Sequence, residues 1–160
     1  MNDNTTTGQA TGRHRVQNCS LAVGVVFLLV GVLGFVPGIT THYNMLAVAG
    51  HGSMAKLLGV FSVSILHNIV HLAFGVAGLV AARTARGARA YLIVGGVIYL
   101  VLWIYGLVID QNSSANFVPV NTADNWLHLV LAIGMIAIGL LAGRRLGAKA
   151  GRDQARAATQ

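Results

Sequence analysis

Four stretches of the chain run apolar over about the twenty residues that a helix needs to cross a bilayer core. They are residues 16–36, 57–82, 90–109 and 124–142, and the only charged side chain among them is Asp124 at the start of the last. Periodicity does not separate a helix from a strand in a continuous apolar run, but length does, and these runs are too long for strands. The first ends at Pro37-Gly38, a strong helix stop. It is also longer than the apolar core of a cleaved signal, and the small-residue site Ala47-Val48-Ala49 lies well beyond its end, so it reads as a retained helix. The pattern predicts an all-α integral membrane protein built as a four-helix bundle.

The polar positions inside these runs repeat. His67-Asn68-Ile69-Val70-His71-Leu72 matches Asp124-Asn125-Trp126-Leu127-His128-Leu129: a polar residue, Asn, two apolar residues, His, Leu. The odd runs align too, GVVFLLVGVLGFV against GVIYLVLWIYGLV, with Gly24 over Gly96 and Gly34 over Gly106. The chain therefore reads as a duplicated two-helix hairpin in parallel orientation, the first copy having the longer external loop.

Composition and charge agree with a membrane. Apolar residues make up 55% and charged residues 9%, against about 25% charged in a soluble globule. Of eleven Lys and Arg, all but Lys56 flank one side of a four-span topology: Arg13 and Arg15, then Arg83, Arg86 and Arg89, then the group from Arg144 to Arg156. That bias places both termini in the cytoplasm. The +7 net charge is split among three segments rather than gathered on one aromatic-lined face, which argues against nucleic acid. The tails, 1–15 and 144–160, hold little apolar surface and are expected to be flexible. Cys19 is the single cysteine, so no intramolecular disulfide or thiolate metal site is available.

Helical spacing gathers the polar residues. Ser64, His67, His71, Gly75, Gly78 and Ala82 share one face, as do Asp124, His128, Ala132, Met135, Gly139 and Gly143. Each stripe is polar toward the outside and mostly small toward the cytoplasm, suiting close helix contact with interhelical hydrogen bonds above it. Counting from the cytoplasmic ends, His67, Tyr105 and His128 reach one depth, roughly 20 Å up at 1.5 Å per residue. The candidate cluster is His67, Asn68, His71, Tyr105, Asp124, Asn125 and His128, with Asp124 paired to His67 or His71. Ionisable groups in a membrane usually mark function, and three chemistries fit. His67, His71, His128 and Asp124 make a set for zinc or iron, or one histidine from each even span ligates a haem. A His, Asp and Tyr chain relays protons, although the cytoplasmic half offers no polar continuation. A hydrogen-bonded layer locks the bundle, and this is the favoured reading, since the HxxxH spacing arises easily by chance and no flanking cofactor motif accompanies it. His14, His42 and His51 fall in tail or loop, and Asp110 ends the third span.

The segments GFVPG, HNIVHLAFG and NTADNWLHL, set in four spans, resemble the bacterial membrane family called domain of unknown function 4383, common in actinobacteria. The resemblance covers residues 19–143 and implies a four-span fold in a bacterial plasma membrane, with no activity to carry over. It emphasises Asn68, His71, Asp124, Asn125 and His128. The function expected is a non-enzymatic accessory or structural component of a membrane assembly, partnered by the bilayer and by a larger membrane protein or further copies of itself. The alternatives are a metal- or haem-binding redox protein and a proton-linked carrier.

Overall fold

The computed structural model describes residues 4–157, with side chains from 15 to 142. Four helices dominate: α1 (Asn4–Leu33), α2 (Ile65–Ala81), α3 (Ala85–Val108) and α4 (Thr122–Ala157). Three contain stretches long and apolar enough to cross a membrane, Arg15–Leu33, Ala85–Val108 and Thr122–Ala142. Helix α1 packs chiefly on α2 and α3 on α4, and α1 also lies against α3. The core between them is built from Val16, Phe27, Ala88, Leu92, Tyr99, Ala132 and Met135. Large apolar side chains such as Val26, Leu29, Val101, Ile104, Val130 and Ile133 stay about half exposed on the outer faces. Exposed apolar area on this scale marks a surface that meets lipid or a partner rather than water alone.

The second apolar stretch, expected as one helix over 57–82, is divided. Lys56–Leu57 forms strand β2 and Phe61–Ser62 forms β3, which pair antiparallel with each other, while β1 (Thr40–Thr41) pairs with β2. Leu58 and Gly59, with φ of 55° and 72°, reverse the chain between β2 and β3. The apolar residues before α2 are used by a small outer core of Ala55, Leu57 and Val63, flanked by Val30, Leu33, Ile39, Leu46 and Phe61. Run length measured apolar content, and a sheet core consumes that content as readily as lipid does. Helix α2 is left with 17 residues, about 26 Å at 1.5 Å each, somewhat short of a bilayer core of about 30 Å. The all-helical expectation thus gains a three-stranded sheet in the first long loop.

Helix ends follow local chemistry. Ser64 has extended backbone and its Oγ accepts from the His67 amide, capping α2. Thr84 caps α3 in the same way through the Gly87 amide, so the α2–α3 link is only residues 82–84 and Arg86 and Arg89 lie in the first turns of α3. Helical backbone also runs into the stretches expected to be flexible tails, from Asn4 in α1 and to Ala157 in α4.

Candidate functional site

The two hairpins make the same contacts at the same aligned positions. A Cβ on Gly34 would meet Asn68 Oδ1 at 2.2 Å, and one on Gly106 would meet Asn125 Oδ1 at 1.9 Å, so each asparagine amide rests in the notch its glycine leaves. Deeper, a Cβ on Gly24 would strike the Gly75 carbonyl and Leu79, and one on Gly96 would strike the Ala132 carbonyl and Ile136. Near the other end Gln17 Nε2 donates to the Ala82 carbonyl at 2.9 Å, and Arg89 Nε donates to the Gly139 carbonyl at 3.1 Å. Val16 and Ala88, Phe27 and Tyr99, and Asn68 and Asn125 are buried at matched positions.

These matched positions converge on an aromatic and imidazole layer. Phe27 and Tyr99 stack with centroids 5.4 Å apart and planes 5° from parallel. On one side His71 meets the edge of Phe27 at 5.6 Å and 64°; on the other His128 meets Tyr99 at 5.2 Å and 64°. The echo of the two histidines in the sequence thus becomes a near-symmetric arrangement about the Phe27–Tyr99 pair. His67 stacks on His71 at 4.6 Å, with planes 14° apart. His71 Nδ1 lies 3.0 Å from the His67 carbonyl and His67 Nδ1 lies 3.3 Å from the Pro119 carbonyl. A carbonyl only accepts, so both rings carry their proton on Nδ1 and keep the Nε2 lone pair.

Two expected members stand elsewhere. Asp124 does not pair with a histidine: its Oδ2 accepts from the Asn121 amide at 2.9 Å and the Ser62 amide at 3.0 Å. Asn121 Oδ1 accepts in return from the Ala123 and Asp124 amides. This is a capping box at the start of α4, extended by one bond that ties α4 to β3. The position that completes a proton or metal cluster on a helical wheel is also the third residue of the helix, and the orphan amides there claimed the carboxylate. Tyr105 likewise leaves the cluster. Its hydroxyl donates to the Ala115 carbonyl and accepts from the Phe117 amide, bracing the loop between α3 and α4. Tyr99 takes the place expected for it.

Among the described residues no three His, Cys, Asp or Glu side chains gather to hold a metal ion. The set of His67, His71, His128 and Asp124 is therefore not assembled, because the carboxylate is spent on backbone amides and two of the rings lie face to face.

The layer keeps unspent hydrogen-bonding capacity. Among the described residues, Asn68 Nδ2 and Oδ1, Asn125 Oδ1 and His128 Nδ1 are buried without a partner. Buried polar atoms are usually satisfied, so these four concentrate polarity where α1 meets α2 and α3 meets α4. Toward the opposite end the same helices close on small residues, with a Cβ on Gly78 only 2.8 Å from the Gly24 Cα and one on Gly95 2.6 Å from Met135 Cε. The chemistry available in the layer is hydrogen bonding.

Residues 17–141 match the family described as "Domain of unknown function (DUF4383)". The chain belongs to the DUF4383 family. The match covers all four helices except the outer reaches of α1 and α4, and so includes every residue of the layer. No curated protein matches the chain, and no solved structure does. Phe27, Tyr99, Gly34, Gly106 and Asn121 carry this site yet were not among the residues singled out by helical spacing. Aligning the odd runs already sets Phe27 over Tyr99, which is the signal that finds the aromatic pair.

Proposed function

We propose that this DUF4383 protein is a multi-pass protein of a bacterial plasma membrane, with both termini cytoplasmic, and serves as a non-enzymatic structural or accessory component of a membrane assembly. Its two hairpins are copies of one ancestral hairpin, and the histidine–asparagine layer sets their register. The observation that carries this reading is the matched use of the layer: Asn68 on Gly34 and Asn125 on Gly106, His71 on Phe27 and His128 on Tyr99. Residues retained for packing are expected to match in both copies. The distribution of Lys and Arg supports the orientation, since all but Lys56 fall at the termini or in the α2–α3 link and its flanks.

The test pairs stability with phenotype. His71→Leu and His128→Leu should shift the thermal unfolding of the detergent-purified protein, while a strain carrying either variant at normal abundance keeps the wild-type phenotype. Loss of phenotype at unchanged abundance and melting would overturn the structural reading. A Soret band or stoichiometric metal in protein from cells supplied with iron, zinc and copper would replace it with the ligand-binding one.

A further inference from the structure

At the outer end of the second hairpin, where α3 ends and α4 begins, a pocket of about 480 Å³ is lined by Trp103, Gly106, Leu107, Asp110, Asn125 and Trp126 among others. Asp110 is the one charged side chain in its lining. Asp110 is exposed, and among the described residues its carboxylate accepts only from the Asn112 amide, through Oδ1 at 2.9 Å. Asn125 is 5% exposed and its Oδ1, lying against Gly106, has no partner. The last turn of α3 adds the negative end of a helix dipole and contains no basic residue to offset it. The facing positive end of α4 is already answered by Asn121 and Asp124. Two indoles and Leu107 supply apolar and π surface, and an indole face attracts a cation.

The first hairpin is an internal comparison. At the positions of Trp103, Thr122 and Trp126 it carries Gly31, Ile65 and Ile69, and its own asparagine, Asn68, is 1% exposed. The same asparagine–glycine contact is buried in both copies, and in the second it is bordered by a pocket edged by acid and aromatics. Packing alone does not require that difference.

We propose that this pocket binds the primary ammonium head of an amphiphile, which donates to the exposed carboxylate of Asp110 while its apolar part lies along Trp103, Leu107 and Trp126. Such a head is carried by an ethanolamine phospholipid or by a free long-chain amine. Trp103 and Trp126 are the two tryptophans of the chain, so indole emission reports on this pocket alone. The full chain in dodecyl maltoside, titrated with dodecylamine at neutral pH, should show a saturable change in emission. Asp110→Asn keeps an acceptor for the Asn112 amide but loses the charge, so it should melt as wild type does and bind about tenfold more weakly. Dodecyltrimethylammonium keeps the charge but has no N–H to donate, so it should bind more weakly than dodecylamine. Repeating the titration in bilayers of phosphatidylcholine with and without phosphatidylethanolamine separates the two sources. Competition by the ethanolamine lipid identifies the headgroup, and an unchanged curve identifies a free amine. A response that never saturates, that is equal in Asp110→Asn, or that trimethylammonium reproduces at the same affinity overturns the proposal.

Discussion

Asn68 and Asn125 show how little room the interface between neighbouring helices leaves. With a Cβ on Gly34 or Gly106 falling 2.2 or 1.9 Å from the amide oxygen opposite, Gly34→Ala and Gly106→Ala must displace an asparagine. Each should cost about 1–3 kcal/mol of stability, read as a lower melting temperature in detergent. Gly134→Ala, where an added Cβ meets nothing within 4 Å, should be nearly neutral and serves as the control. The partner atoms make a second prediction. Both amide atoms of Asn68 are buried and unpartnered, and removing such a group recovers its desolvation cost. Asn68→Leu, close in shape, should therefore leave melting unchanged or raise it. A loss above about 1 kcal/mol would mean that the amide is hydrogen-bonded in the working protein. The sequence displayed both asparagines through their repeat, but the glycine each one faces sits on a different helix, and helical spacing within one element does not reach across to it.

The helices themselves were legible from apolar run length, and their ends were not. The start of α2 depends on Ser64 and on a hairpin turn at Leu58-Gly59, and the start of α4 on the reciprocal bonds of Asn121 and Asp124. Asp124 is the sharper case, since a carboxylate one turn above a histidine on a helical wheel invites a charge pairing. It sits instead where the first turn has unsatisfied amides and β3 presents another. Asp124→Ala should thus loosen the outer end of α4 and its junction with β3, costing about 2 kcal/mol and speeding hydrogen exchange at the Ser62 and Asn121 amides. Asp124→Asn retains an acceptor and should lose less. If exchange at those two amides is unchanged and rises instead around His67 and His71, the carboxylate serves the histidines after all. Ser64→Ala, which removes one cap bond, should cost about 1 kcal/mol and fray α2 from its outer end.

In the whole molecule the heaviest packing lies within each hairpin, α1 on α2 and α3 on α4, with α1 on α3 as the main seam between them. Separate chains for residues 1–83 and 84–160, expressed together, should therefore assemble and co-purify, and breaking the Phe27–Tyr99 stack with Phe27→Ala should weaken that assembly more than it weakens either hairpin. Orientation has its own check: a reporter fused after Gln160 or within the α2–α3 link should be active on the cytoplasmic side, and one placed in the loop before β2 on the other. An active external fusion at Gln160 would overturn the reading of the charges. The sequence by itself determined the helical class, the apolar runs, the charge asymmetry and the echo of Asn and His, because each is a one-dimensional pattern of residue type against position. Only the tertiary structure decided which polar groups meet. Backbone amides near Asp124 outcompeted the histidines for its carboxylate, the loop carbonyl of Ala115 drew Tyr105 away, and the cross-hairpin stack brought in Tyr99. Hydrogen bonds and ring contacts are settled at separations of a few ångströms between elements distant in the chain, and a pattern along one helix does not encode that distance.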